Sequence, residues 1–598
     1  MSATGFNANL RDIQFVLFEQ LKIQESMSEF EDLGEWDKDM YQSVLESALE
    51  ICNEKLWPCN ATGDVEGCSL DGEGNVTVPK SFEGAWQAMC EGGWIGLTAP
   101  MEFGGVGLPH PLGVACGEML TGANPSIAMY AGLSRGVANL LKEFGSDWMK
   151  DQFVEKLFTG EWGGTMCLTE SSAGTDVGNN RCRATPTDEE GVYLLEGEKM
   201  FISCGDHQLC ENILHLVLAR VPGAPEGSKG LSIFLVPKFH WTDGSRNGAV
   251  VVGIEHKMGI NASATTTLAL GANSPCKGWI VGEEGQGMSI MFHLMNEARI
   301  AVGVQALASA AAAYLNALSY TKDRVQGGAG SKAVTIVQHP DVRRMLMEMK
   351  SSTEAMRSML YTLALRWDLY ERLKDTEPEK AQLHHNHVDL LTPVAKAHST
   401  DVGFDVTVTA LQCFGGYGYI TEYPAEQHLR DSKITSIYEG TNGVQAIDLL
   451  GRKLRLQNGI LLMQWLDETN KRIETAKATG AFEKEIVALE KARDSMGACA
   501  MHLGQLGMAG NLKAALLHAT PFLQVMGHVV LGVHSLEQAV VAHEKLAEGN
   551  HTDSDTTFYK GKILNLSYYV NNTLPKAIAL SKVIRSGDES ALDEVLFG

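Results

Sequence analysis

QCFGGYGYITEYPAEQHLRDSKITSIYEGTNGVQ, residues 412–445, is the stretch on which the reading of this chain turns. It opens on a glycine cluster, passes through HLRDSK, and ends with one carboxylate, Glu439, just ahead of the apolar run VQAIDLL. Gly415, Gly416 and Gly418 follow a helical pattern, whereas a dinucleotide fingerprint needs a strand before its glycines. A tight helix-ending loop fits them instead. Glu439, at the start of the next helical pattern, has two readings. It is either a first-turn charge complementing the helix dipole or a base aimed at a bound molecule.

Working outward, the 598 residues exceed one small core and imply several structural units. The content of 44% hydrophobic and 20% charged residues is that of a soluble globular protein. A net charge of −24 argues against a nucleic-acid partner, because no basic stripe could dominate that field. The opening MSATGFNANLRDIQFVLFEQL lacks a basic segment followed by an apolar run, so no secretory signal is expected. No apolar stretch approaches the roughly 20 residues of a bilayer span, so no membrane span is expected. Twelve cysteines without a C-x-x-C pair suit reduced thiols in a cytoplasmic protein.

Four textures follow one another. Residues 1–160 have helical apolar spacing broken by turn-rich segments such as CSLDGEGN, predicting an N-terminal α-helical domain. Residues 161–285 carry short β-branched runs (NILHLVLAR, GLSIFLVPK, AVVVGIEH, ATTTLALG) and predict a central antiparallel β domain. Residues 286–454 return to helical spacing, with an alanine-rich first helix suited to close packing and further helices near 338–372, 385–414 and after Glu439, predicting a four-helix bundle. Residues 455–598 form an extra C-terminal helical domain, either separate or continuous with the bundle. The fold class is α+β and multidomain.

His384, His385 and His387 suggest a metal site only superficially, since no acid or cysteine completes a ligand set nearby, and LHHNHV reads as a helix start on a solvated loop. More informative is MCLTESSAGTDVG, residues 166–178, whose small residues make a loop able to turn backbone N–H groups toward an anion or a flat ring. About 25 residues on, KMFISCGD offers Phe201 and Ser203, two positions apart on one strand face. A ring and a hydroxyl so placed suit a planar cofactor, although for an isolated Phe core packing is the preferred reading.

Taken together, MCLTESSAGTDVG followed by LEGEKMFIS, and the stretch 412–445, resemble the two distant motifs of the acyl-CoA dehydrogenase family, in the right order and flanking the expected β-to-α change. The resemblance runs from about residue 80 to 454. It implies FAD as cofactor and α,β-dehydrogenation of an acyl-CoA thioester to a 2,3-enoyl-CoA. Glu439 falls on the catalytic base; the alternative base position of some relatives is Ala298 here. Relatives with Asp in place of the glutamate act on nitroalkanes, and this chain keeps Glu. The resemblance places Met166, Leu168, Thr169, Gly174 and Thr175 along the flavin edge, with Thr175 also toward the substrate. Phe201, Ile202 and Ser203 stand against the flavin, Phe201 where relatives carry Trp and Ser203 where they carry Thr. Arg324, Gln412, Gly415, Gly416, Thr441, Asn442 and Gly443 correspond to contacts with the FAD of a neighbouring subunit. Asn296 to Arg299, at a helix start, and Gly440 correspond to substrate contacts. After Arg324, VQGGAGSKAVTIVQHP departs from many relatives by its length and leaves the surroundings of His339 undefined.

The N-terminal segment and the block of about 145 residues after the bundle look like those of the roughly 600-residue bacterial subgroup. That subgroup includes 3-(methylthio)propanoyl-CoA dehydrogenases and fatty-acyl-CoA dehydrogenases of β-oxidation. The resemblance further implies electron-transferring flavoprotein as acceptor and a homodimer. Alternatives are an acyl-CoA oxidase passing electrons to oxygen, and a scaffold of the same fold without cofactor.

Overall fold

The computed structural model describes residues 4–328 and 333–596; residues 329–332, inside the longer segment after Arg324, lie outside the described residues. The chain divides into two compact units. One gathers Met1–Leu45, Pro109–Glu118 and Arg299–Gly598, and the other Glu46–Leu108 and Met119–Ala298.

The second unit holds the strands. Flanking the turn of the CSLDGEGN segment, β1 (Ser69–Leu70) and β2 (Val76–Thr77) make a small antiparallel hairpin. Then come β3 (Trp162–Cys167), β4 (Arg183–Pro186), β5 (Val192–Ser203), β6 (Asn212–Arg220), β7 (Leu231–Pro237), β8 (Ala249–Ile254), β9 (Thr265–Leu270) and β10 (Lys277–Val281). Their order is β10-β7-β6-β4-β5-β9-β8, and β10 also pairs with β5, so the sheet curls back on itself. The expectation of an antiparallel domain needs one correction. β3 lies parallel to β6, from Trp162↔Asn212 to Cys167↔Val217, and β4 meets β6 in parallel at one pair. A parallel pair needs a long crossover, and the chain between β3 and β6 supplies one containing β4 and β5. β6 is buried along nearly its whole length, which is why NILHLVLAR reads as a continuous apolar run rather than an alternating one. Its Leu214, Leu216 and Leu218 share a core with Ile233 and Leu235 of β7 and with Val137, Leu140 and Leu141 of helix Pro125–Phe144.

The first unit is helical. Its long helices are Pro340–Leu373 and Pro378–Phe414, joined by the C-terminal part of Gly287–Asp323 and by the short Asn442–Gly451. In Gly287–Asp323 the stripe Ala306, Ala310, Ala313 and Ala317 is buried, as its alanine-rich face predicts. The third helix starts at Pro378, a residue suited to a first helical turn, about seven residues before its expected start. LHHNHV therefore lies inside a helix and not on a solvated loop. His387 is buried with Nδ1 3.3 Å from Glu468 Oε2, and burial pushes its pKa down to about 4.

The block after residue 455 belongs to the same compact unit. Its helices are Ile460–Ala478, Glu483–Met508, Ala519–Glu548, Asp553–Tyr568 and Pro575–Ile584. A buried polar network ties it to the chain's beginning. Lys562 reaches Asp12 and donates to Glu354 Oε2 (2.7 Å). Arg357 bonds both Asp12 and Glu118, and Tyr361 Oη donates to Glu118 Oε2 (2.6 Å). Contrary to the sequence expectation, two helices among the described residues are long and apolar enough to cross a membrane, Gly287–Asp323 and Ala519–Glu548, with mean hydropathies of 1.4 and 1.3. Their most apolar windows are 94% and 89% buried inside the protein, as in core helices.

Candidate active site

The last segment of the quoted stretch folds as a tight loop between two helices. Helix Ala425–Lys433 runs into a short turn at Ile434–Ser436, and helix Asn442–Gly451 begins with Thr441 as its cap, Oγ1 accepting from Val444 N at 3.3 Å. Between them Glu439 and Gly440 both take left-handed backbone conformations, φ 56° and 84°. For glutamate that region costs about 1–3 kcal/mol, so something must hold it there. Gln445, fully buried, donates from Nε2 to the carbonyls of Glu439 (3.3 Å) and Gly440 (3.4 Å). A Cβ at Gly440 would sit 2.7 Å from that same Nε2, so the clamp requires glycine there. With both carbonyls drawn toward Gln445, the Glu439 N–H has no acceptor among the described residues and is available to a carbonyl oxygen of a bound molecule.

The Glu439 side chain is half-buried and closely surrounded. Burial raises its pKa above the ordinary carboxylate value, against the opposing pull of the Arg299 and Lys396 cations. Arg299 is buried, its Nη1 3.3 Å from Asp448 Oδ2. Lys396, on helix Pro378–Phe414, is fully buried and donates to Asn442 Oδ1 at 3.0 Å. Burial lowers its pKa to about 8, partly offset by Glu439 and Asp401. Lys396 and Gln445 carry no signal in the sequence that marks them as part of this site. VAKAHSTD reads as a helix with one ordinary lysine, and Gln445 as a polar residue in a first turn.

Asn442 is committed to the fold. Its Nδ2 donates to Ala397 O (3.1 Å), Thr400 Oγ1 (2.9 Å) and Asp401 Oδ1 (2.7 Å). Asn296 to Arg299 lies well inside helix Gly287–Asp323 and not at its start, because the helical pattern begins at Gly287.

Arg324, Gln412, Gly415 and Gly416 come together elsewhere in this unit. They line a cavity of about 510 Å³ with Tyr320, Phe414 and Tyr417, and the Arg324 guanidinium lies 5.1 Å from the Tyr417 ring centroid. A cation, two glycines without side chains and a rim of aromatic rings make a donor set suited to a phosphate-bearing cofactor. The segment following Arg324 doubles back, with a bridge between Val325 and Thr335, and His339 Nε2 meets Gln326 O at 2.7 Å.

In the strand-bearing unit, Met166 is the penultimate residue of β3, and Leu168, Thr169, Gly174 and Thr175 follow on the loop, the last two exposed. Glu170 pins that loop. Its carboxylate accepts from Arg181 N (2.6 Å), Cys182 N (3.1 Å) and Lys199 Nζ (2.7 Å). Burial alone would raise it, yet Lys199 and these hydrogen bonds hold its pKa below the ordinary value. The strict alternation expected between Phe201 and Ser203 is interrupted, because β5 shifts register against β9 between Lys199 and Ile202. Phe201 sits in that bulge at φ 57° with 57% of its surface exposed, while Ile202 is buried. A bulge that turns a large aromatic outward is a device for presenting a ring, and Met200 N, bonded to Thr169 O (2.9 Å), keeps Thr169 alongside.

Comparison with known proteins covers the chain from end to end. Residues 42–161, 165–271 and 285–454 match the N-terminal, middle and C-terminal domains of acyl-CoA dehydrogenase, and residues 465–594 match an acetyl-CoA dehydrogenase C-terminal-like domain. The butyryl-CoA dehydrogenase of Syntrophomonas wolfei is 35% identical over 99% of both chains. The 3-methylmercaptopropionyl-CoA dehydrogenase of Ruegeria pomeroyi is 36% identical over 98% of both. An acyl-CoA dehydrogenase from Bacillus anthracis, solved with FAD, covers 93% of this chain and 90% of its own at a TM-score of 0.74 and 20% identity, a likeness of fold. With relatives above 30% identity along its whole length, this chain belongs to the acyl-CoA dehydrogenase family.

Proposed function

We propose that this enzyme is an FAD-dependent acyl-CoA dehydrogenase, converting an acyl-CoA thioester to its 2,3-enoyl-CoA with Glu439 as the base. The observation that carries the assignment is the loop itself. A carboxylate with a raised pKa stands beside an available backbone N–H, held in a strained conformation by a buried side chain. An α-proton of a thioester is far less acidic than a carboxylic acid, so its removal needs both a strengthened base and a donor for the developing enolate oxygen. Glu439 supplies the first through its side chain and the second through its N–H. FAD, when bound, supplies the two-electron acceptor for the β-hydrogen. Thr169, Phe201 and Ser203 are suited to its ring, and Arg324, Gln412, Gly415 and Gly416 to the pyrophosphate of a neighbouring subunit's FAD. In the family correspondence Arg299 and Gly440, and likewise Thr175 and Asn296, are substrate contacts. Thr441 and Gly443 are exposed at the cap, whereas the Asn442 side chain holds the loop.

The acyl group follows from the relatives' own names, a butyryl and a methylthiopropionyl thioester. Short straight-chain acyl-CoAs, including 3-(methylthio)propanoyl-CoA, are therefore the proposed substrates. Electron-transferring flavoprotein is the proposed acceptor and a homodimer the proposed assembly. The family correspondence supports the assembly, by assigning Arg324 and Gln412 to a neighbouring subunit's FAD. Twelve free thiols support a cytoplasmic setting. The same correspondence supports the domain limits 1–160, 161–285, 286–454 and 455–598. The test is anaerobic bleaching of the purified yellow protein by acyl-CoAs of increasing length and by the methylthio thioester. Fast bleaching by the four-carbon or methylthio substrates is expected. No bleaching by any acyl-CoA would refute the assignment, and peroxide formation matching the rate of dye reduction would make the enzyme an oxidase.

Lys396 gives a second measurable consequence. Its cation lowers the pKa of Glu439, so Lys396→Met should move the acidic limb of the reductive rate to higher pH. The alkaline inflection expected near pH 8 in the wild type, where Lys396 loses its proton, should vanish in the same variant. Superimposable pH profiles would show that the two groups do not interact.

A further inference from the structure

Helix Ala519–Glu548 lies in the block after residue 455, beyond both family motifs, yet it reaches the back of the catalytic loop. Gln524 on that helix donates from Nε2 to Asp401 Oδ2 at 2.5 Å and accepts at Oε1 from His398 Nδ1 at 2.6 Å. The other oxygen of Asp401 accepts from Asn442 Nδ2 at 2.7 Å, and Asn442 stands three residues after Glu439. Asn442 Oδ1 in turn accepts a hydrogen bond from Lys396 Nζ, the buried cation that acts on Glu439. The relay is thus His398 to Gln524 to Asp401, with Asn442 donating to Asp401 from the other side. Each of these hydrogen bonds has a defined donor and acceptor.

The seat for this helix is shaped to fit. Gly527, three residues after Gln524 and so on the same helical face, lies against the imidazole of His398. A Cβ there would come within 2.1 Å of His398 Cγ. His398 itself is fully buried and its ring stands edge-on to His528 of the same helix, centroids 4.8 Å apart. The backbone of the C-terminal block therefore approaches helix Pro378–Phe414 as closely as a glycine permits, directly behind Asp401.

We propose that Gln524 is a positioning residue for the catalytic loop, holding Asn442 through Asp401, and that this hold is what the C-terminal helical block contributes to the reaction. The inference rests on the reading of Glu439 as the base. A loop whose glutamate sits in a left-handed conformation is not held by local preference. It depends on its clamps, of which Gln445 grips the carbonyls of residues 439 and 440, and Asn442 grips helix Pro378–Phe414. Asp401 is the charged acceptor in the second clamp. Gln524 fixes its orientation by occupying the oxygen that Asn442 does not use.

The test exchanges the two partners. Gln524→Glu sets a carboxylate against that of Asp401 and removes the donor, so the limiting rate of flavin bleaching by acyl-CoA is expected to fall about ten- to a hundredfold. In the Asp401→Asn/Gln524→Glu double variant, Asn at 401 donates to the new carboxylate and still accepts from Asn442, and His398 keeps its acceptor. The rate is expected to return to within about threefold of wild type, since coupled partners are strongly non-additive. Hydrogen exchange provides a readout independent of turnover. Amides of the segment 436–448 should exchange faster in Gln524→Glu and recover protection in the double variant. Gln524→Met, without a new charge, should show the same direction in both measurements. A wild-type rate and wild-type exchange in the single variants, or a double variant no better than Gln524→Glu, would overturn the proposal. Failure of the wild type to bleach would refute the reading of Glu439 instead, and the exchange data would still report on the relay.

Discussion

Glu439→Gln is expected to leave FAD bound and to lower the rate of flavin bleaching by acyl-CoA by at least about 10²–10⁴-fold, the range for loss of a general base. The substitution keeps the shape of the side chain and the backbone N–H while removing the only carboxylate presented by the loop between Tyr438 and Gln445. Gln445 bonds to the carbonyls of residues 439 and 440 and Asn442 bonds to helix Pro378–Phe414, so neither clamp involves the Glu439 carboxylate and the loop should persist. The groups suited to the FAD pyrophosphate, Arg324 and Gln412 with Gly415 and Gly416, line a different cavity and are untouched. The expected pattern is a yellow protein whose spectrum is perturbed by substrate at near wild-type concentration, with the loss confined to the reductive step. That split separates a base from a binding group, because loss of uniform binding would raise the substrate concentration needed and leave the limiting rate alone. Bleaching within about tenfold of wild type would sink the assignment, since no base contributes so little.

How much of this was legible in the sequence depends on the range of the interactions involved. Helices and strands follow from periodicity, and the two motifs place Glu439, Thr169 and Phe201. Three features do not follow from local pattern. β3 pairs in parallel with a strand 45 or more residues later, a matter of topology that strand propensity does not encode. The Phe201 bulge arises because β5 shifts register against β9, a property of the pair and not of KMFISCGD alone. Lys396, 43 residues before Glu439, is brought beside it only by the packing of helix Pro378–Phe414 against the loop. The LHHNHV segment fails differently. Its histidines look solvent-seeking, and Glu468, the partner that makes burial of His387 tolerable, lies 81 residues away. The same holds for Gln524, whose role depends on Asp401 and not on its neighbours in sequence.

Lys562→Met is expected to destabilise the helical unit by about 3–5 kcal/mol, the cost of breaking a buried ion pair by removing one partner. Lys562 is 1% exposed at its side chain and bonds Asp12 and Glu354, both buried. With Arg357, Glu118 and Lys350 these groups make three cations and three carboxylates, so the network is balanced as it stands. Loss of Lys562 leaves one buried negative charge uncompensated and strips Asp12 of the partner that most lowers its pKa. Asp12→Asn in the same background restores neutrality, and the double variant should recover more than half of the loss even though it lacks two charged groups of the wild type. The measurement is the denaturant midpoint of the helical unit followed by circular dichroism, for wild type, Lys562→Met and Asp12→Asn/Lys562→Met. The pH dependence carries the same sign. Lys562 and Arg357 hold Asp12 down to about 2 against an ordinary value of 3.8, so its contribution is present above pH 3.8 and fades as pH falls toward 2. Lys562→Met should lose part of that acid-labile stability, and its midpoint should depend less on pH across this window. Because Asp12 lies in the first helix and Lys562 in the C-terminal block, the penalty should also appear as faster proteolysis at both ends of the chain. A midpoint equal to wild type, or a double variant less stable than Lys562→Met, would show that the network contributes no net stability and that apolar packing alone holds the two ends together.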